Sequence, residues 1–359
     1  VPSKADPLTA PRAEVRFALA PLLSGRVDLQ EVTLDRPLIQ VQRGGDDDNI
    51  SPLLQKLRGK GEGAAKEPSR RAWLSGPQTL VIKSAEVDVR DDAGILHIAG
   101  LTANVQRRGP SELVLSESTA EIAGGATGKA AQVVVRWQSV DRFIPASLPE
   151  IEIQGGALVP WRRLAMTGIS GTIRPDAEDA SRAVINLAGG YGGVERQLWK
   201  ASGWVRPDGG LNSSLSGGLL AQRGAEAAVS VYAQRFRLDA LEPILKDTPI
   251  IDAEKTEVDA SLELRFANRA LDFSGSFHMG GLSVFTSRLV AEPVRDLGID
   301  LSASGRIDLK TRRFSLQRAQ IKWNGATAEL EAEAEVCQKM GFQLIQGFLT
   351  GKPIPVEQL

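Results

Sequence analysis

The sequence has little of several residue types that would narrow its chemistry. Its one cysteine, Cys337, excludes an internal disulfide framework, and its two histidines, His97 and His278, leave little material for a zinc site. The 43 Lys and Arg residues balance 44 Asp and Glu residues, and no long basic block occurs. Nucleic acid is therefore not an expected partner. No apolar run approaches the roughly 18 residues that a membrane-spanning helix needs.

Motifs for catalysis or cofactor binding are equally scarce. Residues 124–129 (GGATGK) resemble a phosphate loop, but the first Gly comes one place too late and Ala130 replaces the magnesium-binding hydroxyl. Residues 46–49 (DDDN) carry side-chain oxygens of the kind that bind calcium. In calcium-binding loops the ligands typically alternate along the chain, whereas these residues are consecutive, so a solvated turn is favoured. No Ser or Cys lies in a nucleophile motif. The sequence therefore predicts a non-enzymatic protein with no catalytic residue, no metal site and no cofactor.

Short apolar-polar alternations bounded by turn residues fill most of the chain, which predicts an all-β, mainly antiparallel fold. The clearest strand candidates occupy residues 258–266, 271–277, 282–285, 297–309, 314–323 and 326–336. Other candidates are residues 80–82, 87–89, 96–105, 113–122, 132–137, 151–153, 171–174, 184–187, 196–205 and 211–220. The strongest turn signals are residues 91–94, 207–210, 268–269, 310–312 and 324–325.

A few short helices and one architectural problem complete this prediction. Apolar spacing of three to four residues predicts helices over residues 140–148 and 238–246. We expect roughly eighteen to twenty strands, and open twisted sheets seldom exceed about ten without curling or splitting. Two solutions remain open: an elongated, twisted β-groove bent along its length, or stacked β-sandwiches.

Residues 17–51 show the alternation with two changes of parity. Val27 and Leu29 share one parity, the next apolar pair has the other, and Ile39 and Val41 return to the first. Each change would move the apolar residues to the opposite face unless a bulge or bend absorbed it. We therefore expect kinked strands with Pro37 at the second bend.

The pattern PLL-x-G-x-V-x-L-x-x-V-x-L-x-x-P-x-I-x-V-x-R, followed by an acidic turn and an Asn, resembles the signature of AsmA-like, TamB-type bacterial envelope proteins. In that family a Gly usually follows the Asp of the turn, whereas here three Asp residues directly precede the Asn, a departure that affects the turn and not the strands. The residues that carry the resemblance are Pro21, Leu22, Leu23, Gly25, Val27, Leu29, Val32, Leu34, Pro37, Ile39, Val41, Arg43 and Asn49.

This resemblance implies a function. It implies a periplasmic protein of a Gram-negative-type bacterium, anchored in the inner membrane by an N-terminal helix that this fragment does not include. It also implies a repeating β-groove that conducts phospholipid between the inner and outer membranes during outer membrane biogenesis.

The residues fit such a groove, because aromatics are only 5% of the chain and the apolar strand residues are chiefly aliphatic. An aliphatic lining stabilises an acyl chain by roughly 0.8 kcal/mol per buried methylene without demanding specific partners. The same residues would also serve an ordinary β core, and the sequence leaves open which parity faces the groove. The candidate groove residues are Val87, Val89, Leu264, Phe273, Ile307, Leu309, Ile321, Trp323 and Leu330.

The expected organisation has four parts. They are an opening AsmA-like β unit (1–57), a Gly- and Lys-rich loop or linker (58–79), a continuous β-meander groove (80–336) and a connection to a missing C-terminal part (337–359). Two alternative functions remain. The chain could be the N-terminal accessory region of a larger envelope enzyme, such as a peptidoglycan transglycosylase, or a β-scaffold that binds outer-membrane or periplasmic proteins by strand addition.

Overall fold

The all-β class predicted from the sequence is confirmed. The structure is a computed structural model that describes residues 7–42, 74–91, 94–122, 125–141, 143–145, 147–161, 164–192, 197–207, 224–245, 248–285, 292–309, 311, 313–323 and 326–335. Strands make up 77% of these residues, and nearly all strand pairs are antiparallel. Contacts between residues divide the chain into two compact units: Val1–Trp161 with Ile169–Pro175, and Arg162–Gly168 with Asp176–Leu359.

Unit 1 is built on a run of long antiparallel neighbours in which β6 pairs with β7, β7 with β8, β8 with β9 and β9 with β11. Its elements are β1 (Leu8–Thr9), β2 (Arg12–Ala18), α1 (Leu19–Leu22), β3 (Val27–Asp35), β4 (Leu38–Gln42), β5 (Leu74–Ser75), β6 (Thr79–Asp91), β7 (Gly94–Gln106), β8 (Gly109–Ile122), β9 (Ala126–Asp141), β10 (Ile144–Pro145), β11 (Glu150–Trp161) and the second half of β12 (Leu164–Pro175). Strands β3 and β4 both run parallel to β6.

Unit 2 is an antiparallel meander that runs β13, β14, β15, β17, β18, β19, β20 and β21, with each strand paired to the next. Its strands after β12 are β13 (Ala183–Tyr191), β14 (Trp199–Arg206), β15 (Glu226–Arg237), β16 (Ile250–Ile251), β17 (Glu257–Ala267), β18 (Ala270–Val284), β19 (Val294–Asp308), β20 (Arg313–Trp323) and β21 (Ala326–Glu335). Its helices are the 3₁₀ segments Leu238–Leu241 and Ala253–Lys255, and α2 (Glu242–Leu245).

The predicted kink at Pro37 is confirmed. Strand β3 ends one residue before Arg36, which has φ +48°, and Pro37 is fully buried before β4 begins. The amide of Arg36 donates to the Lys83 carbonyl at 2.8 Å, so the break lies beside β6. The first parity change falls at Gln30, where the register between β2 and β3 shifts. A bulge and a bend therefore keep the apolar residues on one face.

One helix prediction is wrong and the other is confirmed. None of the described residues between 140 and 148 is helical: Val140 belongs to β9, and Ile144–Pro145 forms β10, which pairs with β9. The apolar spacing there matches a helix by coincidence, since the chain turns back after β9 and β10 pairs with the end of that strand. Leu238–Leu245 does form one 3₁₀ turn and one α turn, as predicted.

Turns join the predicted hairpins where the structure describes them. Asn268 and Arg269, with φ +53° and +60°, connect β17 to β18, and Asp91 pairs directly with Gly94 across the β6–β7 turn. Residues 126–129 of the phosphate-loop-like stretch lie in β9. Residues 46–49, the turn at 207–210, the strand predicted at 211–220 and Cys337 lie mostly or wholly outside the described residues.

Each unit has a hydrophobic cluster built by neighbouring strands of one sheet. In unit 1 the buried members are Ala85, Val87, Ile98, Leu101, Ala103 and Val105, on β6 and β7. In unit 2 the buried members are Leu238, Val258 and Leu282, and the short helices and β16 pack around them. In the described parts of the chain, no second sheet contributes to either cluster.

Candidate apolar ligand-binding surface

The register of unit 2 places its apolar side chains on one face of the sheet. Directly paired residues of an antiparallel sheet share a face, so the pairing sorts residues into rows across the strands. The rows across β17, β18, β19 and β20 are Phe266, Leu271, Ile307 and Phe314; Leu264, Phe273, Gly305 and Leu316; Leu262, Gly275, Ala303 and Ala319; Ala260, Phe277, Leu301 and Ile321; and Val258, Met279, Ile299 and Trp323.

These rows continue into the earlier strands without a polar residue. Their members on β13, β14 and β15 are Ala183, Val205 and Ala227; Ile185, Gly203 and Val229; Leu187, Ala201 and Val231; Gly189, Trp199 and Ala233; and, on β15 alone, Phe236. We call this surface the unit 2 apolar face. Most of its large side chains are half-buried, and none of the rows is interrupted by a charge.

On the opposite parity of β17 to β20, the four rows between Arg265 and Asp259 are polar, and the pair Ala267 and Ala270 lies at the hairpin end. These rows are Arg265, Asp272, Arg306 and Ser315; Glu263, Ser274, Ser304 and Arg318; Ser261, Ser276, Ser302 and Gln320; and Asp259, His278, Asp300 and Lys322. Most of these residues are exposed, including every member on β17. The sheet is therefore amphipathic in the strict period-2 sense, with one solvated face and one apolar face.

Glycines on the unit 2 apolar face make room for large neighbours. A Cβ at Gly305 would lie 2.7 Å from Cζ of Phe273, and a Cβ at Gly189 would lie 2.9 Å from Cζ2 of Trp199. Each of these glycines pairs directly with the aromatic residue that covers it. Because each ring packs over a glycine, it protrudes less from the sheet than it would over a larger side chain.

Unit 1 also has an apolar face, formed by the same alternation. Its rows from β3 or β4 through β6 and β7 include Leu34, Ile82 and Ala103; Ile39, Val87 and Ile98; and Val41, Val89 and Leu96. Rows through β8, β9 and β11 include Leu113, Val135 and Ile151, and Leu115, Val133 and Ile153. We call this surface the unit 1 apolar face.

The candidate groove residues fall on these two faces with one exception. Val87 and Val89 belong to the unit 1 apolar face, and Leu264, Phe273, Ile307, Ile321 and Trp323 belong to the unit 2 apolar face. The backbone of Leu330 pairs with Ala319, which gives it a register position on the same face of unit 2. Leu309 lies just past the end of β19 and belongs to no row.

A partly open apolar pocket lies at one end of the unit 2 apolar face. This apolar cavity has a volume of about 320 Å³ and no polar lining surface. It is lined by Ala233, Phe236, Leu238, Leu241, Val258, Ala260, Phe277, Met279 and Leu301. Its size falls at the lower end of the range typical of small-molecule pockets. The sequence did not single out any of these nine residues as a site residue, because they come from five separate elements.

Both histidines lie on polar faces, each opposite an aspartate. Nδ1 of His97 is 2.8 Å from Oδ1 of Asp88, and Nδ1 of His278 is 2.7 Å from Oδ1 of Asp300. Glu86 also lies close to the first pair, with the potential ligand atoms of all three residues within 4.8 Å of one another. Exposed cross-strand pairs of this kind are ordinary features of a solvated sheet face.

No protein family, curated protein or solved structure matches the chain. Among the helices that the structure describes, none has the length and apolar character needed to cross a bilayer. The case for a function therefore depends on the surfaces described above and on the resemblance noted in the sequence.

Proposed function

We propose that this chain is a non-enzymatic envelope protein that binds phospholipid acyl chains on its apolar faces and conducts them between the inner and outer membranes. The observation that carries this proposal is the set of uninterrupted apolar rows across unit 2, with four polar rows on the opposite face. Contiguous apolar surface of this extent on one side of a sheet is typical of an interaction site.

The dimensions of the unit 2 apolar face suit an acyl chain. Seven strands, β13 to β15 and β17 to β20, at about 4.8 Å spacing cover roughly 30 Å across the sheet, and five rows cover roughly 27 Å along the strands. One leaflet of a bilayer has a hydrocarbon thickness of about 15 Å, half of the total. An acyl chain can therefore lie on this face in full contact with aliphatic and aromatic carbon.

Conduction needs a surface that holds acyl chains about as well as a bilayer does. Burial of apolar area is worth roughly 25 cal/mol per Å² in either environment, so transfer between membrane and protein is close to balanced. Apolar contacts between an acyl chain and the rows are non-directional, so no position of a methylene group on the face is preferred over another. The chain can therefore slide along the face without breaking specific bonds.

The resemblance to AsmA-like proteins supports the cellular setting in this proposal. It favours the periplasm as location and the inner membrane as the anchoring site, through a helix upstream of these residues. The unit 1 apolar face, which contains Leu34, Ile39 and Val41 of the resembling residues, would then receive lipid first.

A pair of lysine variants on one strand tests acyl binding. Leu301 lines the apolar cavity, and the adjacent Ser302 points to the polar face. Purified wild-type protein should carry phospholipid that mass spectrometry detects after solvent extraction. Leu301→Lys should lose most of this lipid because a buried ammonium is strongly disfavoured in contact with acyl chains, and Ser302→Lys should keep it.

Circular dichroism and thermal melting must show that both lysine variants are folded. Lipid-free wild-type protein, or folded variants with equal lipid content, would contradict acyl binding on the unit 2 apolar face.

A further inference from the structure

A second cavity borders the apolar cavity and carries charge. This rim cavity has a volume of about 800 Å³ and lies at the ends of strands β12 to β15 and β17. It is lined by Leu164, Ala165, Tyr191, Gly192, Leu198, Arg235, Phe236, Arg237, Asp239, Ala240 and Glu257. Phe236 lines both cavities, so the two spaces meet at its ring.

The charges of the rim cavity come in two balanced pairs. Nε of Arg235 lies 3.3 Å from a carboxylate oxygen of Glu257, and a guanidinium nitrogen of Arg237 lies 3.0 Å from a carboxylate oxygen of Asp239. The two cations and two anions give the rim no net charge. A site built for a purely anionic head would show an excess of cations.

These ion pairs can open to a ligand at small cost. The side chains of Arg235 and Glu257 are 70% and 53% exposed, and those of Arg237 and Asp239 are 59% and 21% exposed. An ion pair as exposed as Arg235 and Glu257 contributes between zero and about 1 kcal/mol. An incoming phosphate and ammonium could therefore replace the internal partners without a large loss of stability.

An aromatic pair lies at the boundary between the two cavities. The rings of Tyr191 and Phe236 meet edge to face, with centroids 5.1 Å apart. The Tyr191 hydroxyl donates a hydrogen bond to the Gln234 carbonyl, which holds the ring in this position. Burial and the nearby carboxylates of Asp259 and Glu257 raise the pKa of Tyr191 to about 12, so this hydroxyl stays protonated.

We propose that the rim cavity binds the head of a zwitterionic phospholipid with a primary ammonium, while an acyl chain enters the apolar cavity beyond Phe236. This inference rests on the proposed function and names its lipid class. The guanidinium groups of Arg235 and Arg237 match the two free oxygens of a phosphodiester. The carboxylates of Asp239 and Glu257 accept from the three N–H donors of an ammonium group.

Two lysolipids with the same acyl chain separate head recognition from acyl binding. Delipidated full-length chain is titrated by calorimetry with palmitoyl lysophosphatidylethanolamine and with palmitoyl lysophosphatidylglycerol, both below their micelle concentrations. We expect the ethanolamine lipid to bind about tenfold more tightly, as one charge-assisted hydrogen bond would give.

Three variants assign the preference to the rim cavity. Glu257→Gln should remove the preference by weakening only the ethanolamine lipid, and Arg237→Gln should weaken both lipids about tenfold. Arg306→Gln is the matched control. It breaks an exposed cross-strand pair with Asp272, 3.2 Å apart on the polar face, and should change neither affinity.

The outcomes distinguish the two proposals. A preference that disappears in Glu257→Gln and persists in Arg306→Gln supports the head site. Equal binding of both lipids, unaffected by the rim variants, overturns the head site but leaves acyl binding intact. Absence of binding by either lipid overturns the acyl proposal as well.

Discussion

At the scale of single residues, the carboxylate of Asp179 shows how unit 2 fixes the turn before β13. It accepts from the Ser181 hydroxyl at 2.6 Å, from the Ser181 amide at 3.0 Å and from the Arg206 guanidinium at 2.7 Å. These hydrogen bonds lower the pKa of Asp179 to about 2. The guanidinium of neighbouring Arg182 lies 4.2 Å from the Trp204 ring centroid, so the turn is attached to β14 twice.

Asp179→Asn should remove one source of acid sensitivity. The pKa of Asp179 in the folded protein, about 2, lies below the ordinary value of 3.8. Its ionised carboxylate therefore contributes fully to folding stability above about pH 4, and this contribution is lost as pH falls toward 2. Thermal melting should show that the gap in melting temperature between wild type and variant narrows over this interval. Asp176→Asn, in the same turn, is the control. A gap that stays constant with pH would contradict this account.

Gly305→Ala should destabilise the protein, although alanine is usually tolerated in strands. The new Cβ would lie 2.5 Å from the Ser315 carbonyl oxygen and 2.7 Å from Cζ of Phe273, so backbone must move. Overpacking of this kind costs about 1–3 kcal/mol, measurable by urea unfolding. Gly298→Ala on the same strand has open space around its Cβ and should lose no stability. Equal effects at both positions would contradict the close approach of Phe273 to Gly305.

At the scale of elements, bulges keep the apolar residues of long strands on one face. Ser84 on β6, Glu117 on β8 and Arg235 on β15 each have φ +51°, in the left-handed region. The register of β6 against β7 shifts beside Ser84, and that of β15 against β17 shifts beside Arg235. Each bulge reverses the parity of the strand, so the apolar positions before and after it share a face.

Substitutions at Ser84 should invert the usual strand preferences. Glycine relieves the left-handed conformation and should stabilise the protein by about 1 kcal/mol, whereas valine should destabilise it by at least as much. Ser274 on β18 is exposed like Ser84 but has ordinary extended backbone, so glycine there should be the destabilising change. Urea unfolding of the four variants measures this. The same rank order at both sites would be inconsistent with the bulge.

Much of this element pattern could be predicted from sequence, because period-2 alternation and turn residues act locally. The turn at Asn268 was predicted because Asn tolerates positive φ, and the bend at Pro37 because Pro disfavours the middle of a strand. Serine, glutamate and arginine give no signal for positive φ, so the positions of the other bulges could not be predicted. The error over residues 140–148 arose because apolar spacing alone cannot reveal that β10 pairs back onto the end of β9.

The candidate site was predictable only in part, because local sequence patterns reveal single apolar strand residues but not the pairing of distant strands. Val87 or Leu264 could be selected as apolar strand residues from local alternation. The apolar cavity requires residues from β15, β17, β18 and β19 and a 3₁₀ helix, and its formation depends on register between strands far apart in sequence. No local pattern carries that register. The pairing of Phe236 with Val258 beyond the bulge at Arg235 is an example.

At the scale of the whole molecule, the two units repeat one design. Each has long neighbouring strands with apolar rows on one parity and polar residues on the other. Val89 and Asp88 are adjacent on β6 and point to opposite faces, as Leu264 and Glu263 do on β17. A protein that conducts lipid along its length must hold acyl chains in both units, whereas a carrier with one binding site needs only one.

Photocrosslinking at these four positions distinguishes a conduit from a single site. If the chain conducts phospholipid as proposed, a benzophenone amino acid at Val89 or Leu264 should label phospholipid in cells, because the proposal places acyl chains against both apolar faces. The same probe at Asp88 or Glu263 should label little, because it points to the solvated face one residue away. Labelling at Leu264 alone would restrict lipid binding to unit 2 and contradict conduction through both units. Equal labelling at adjacent positions would mean that neither apolar face selects the lipid.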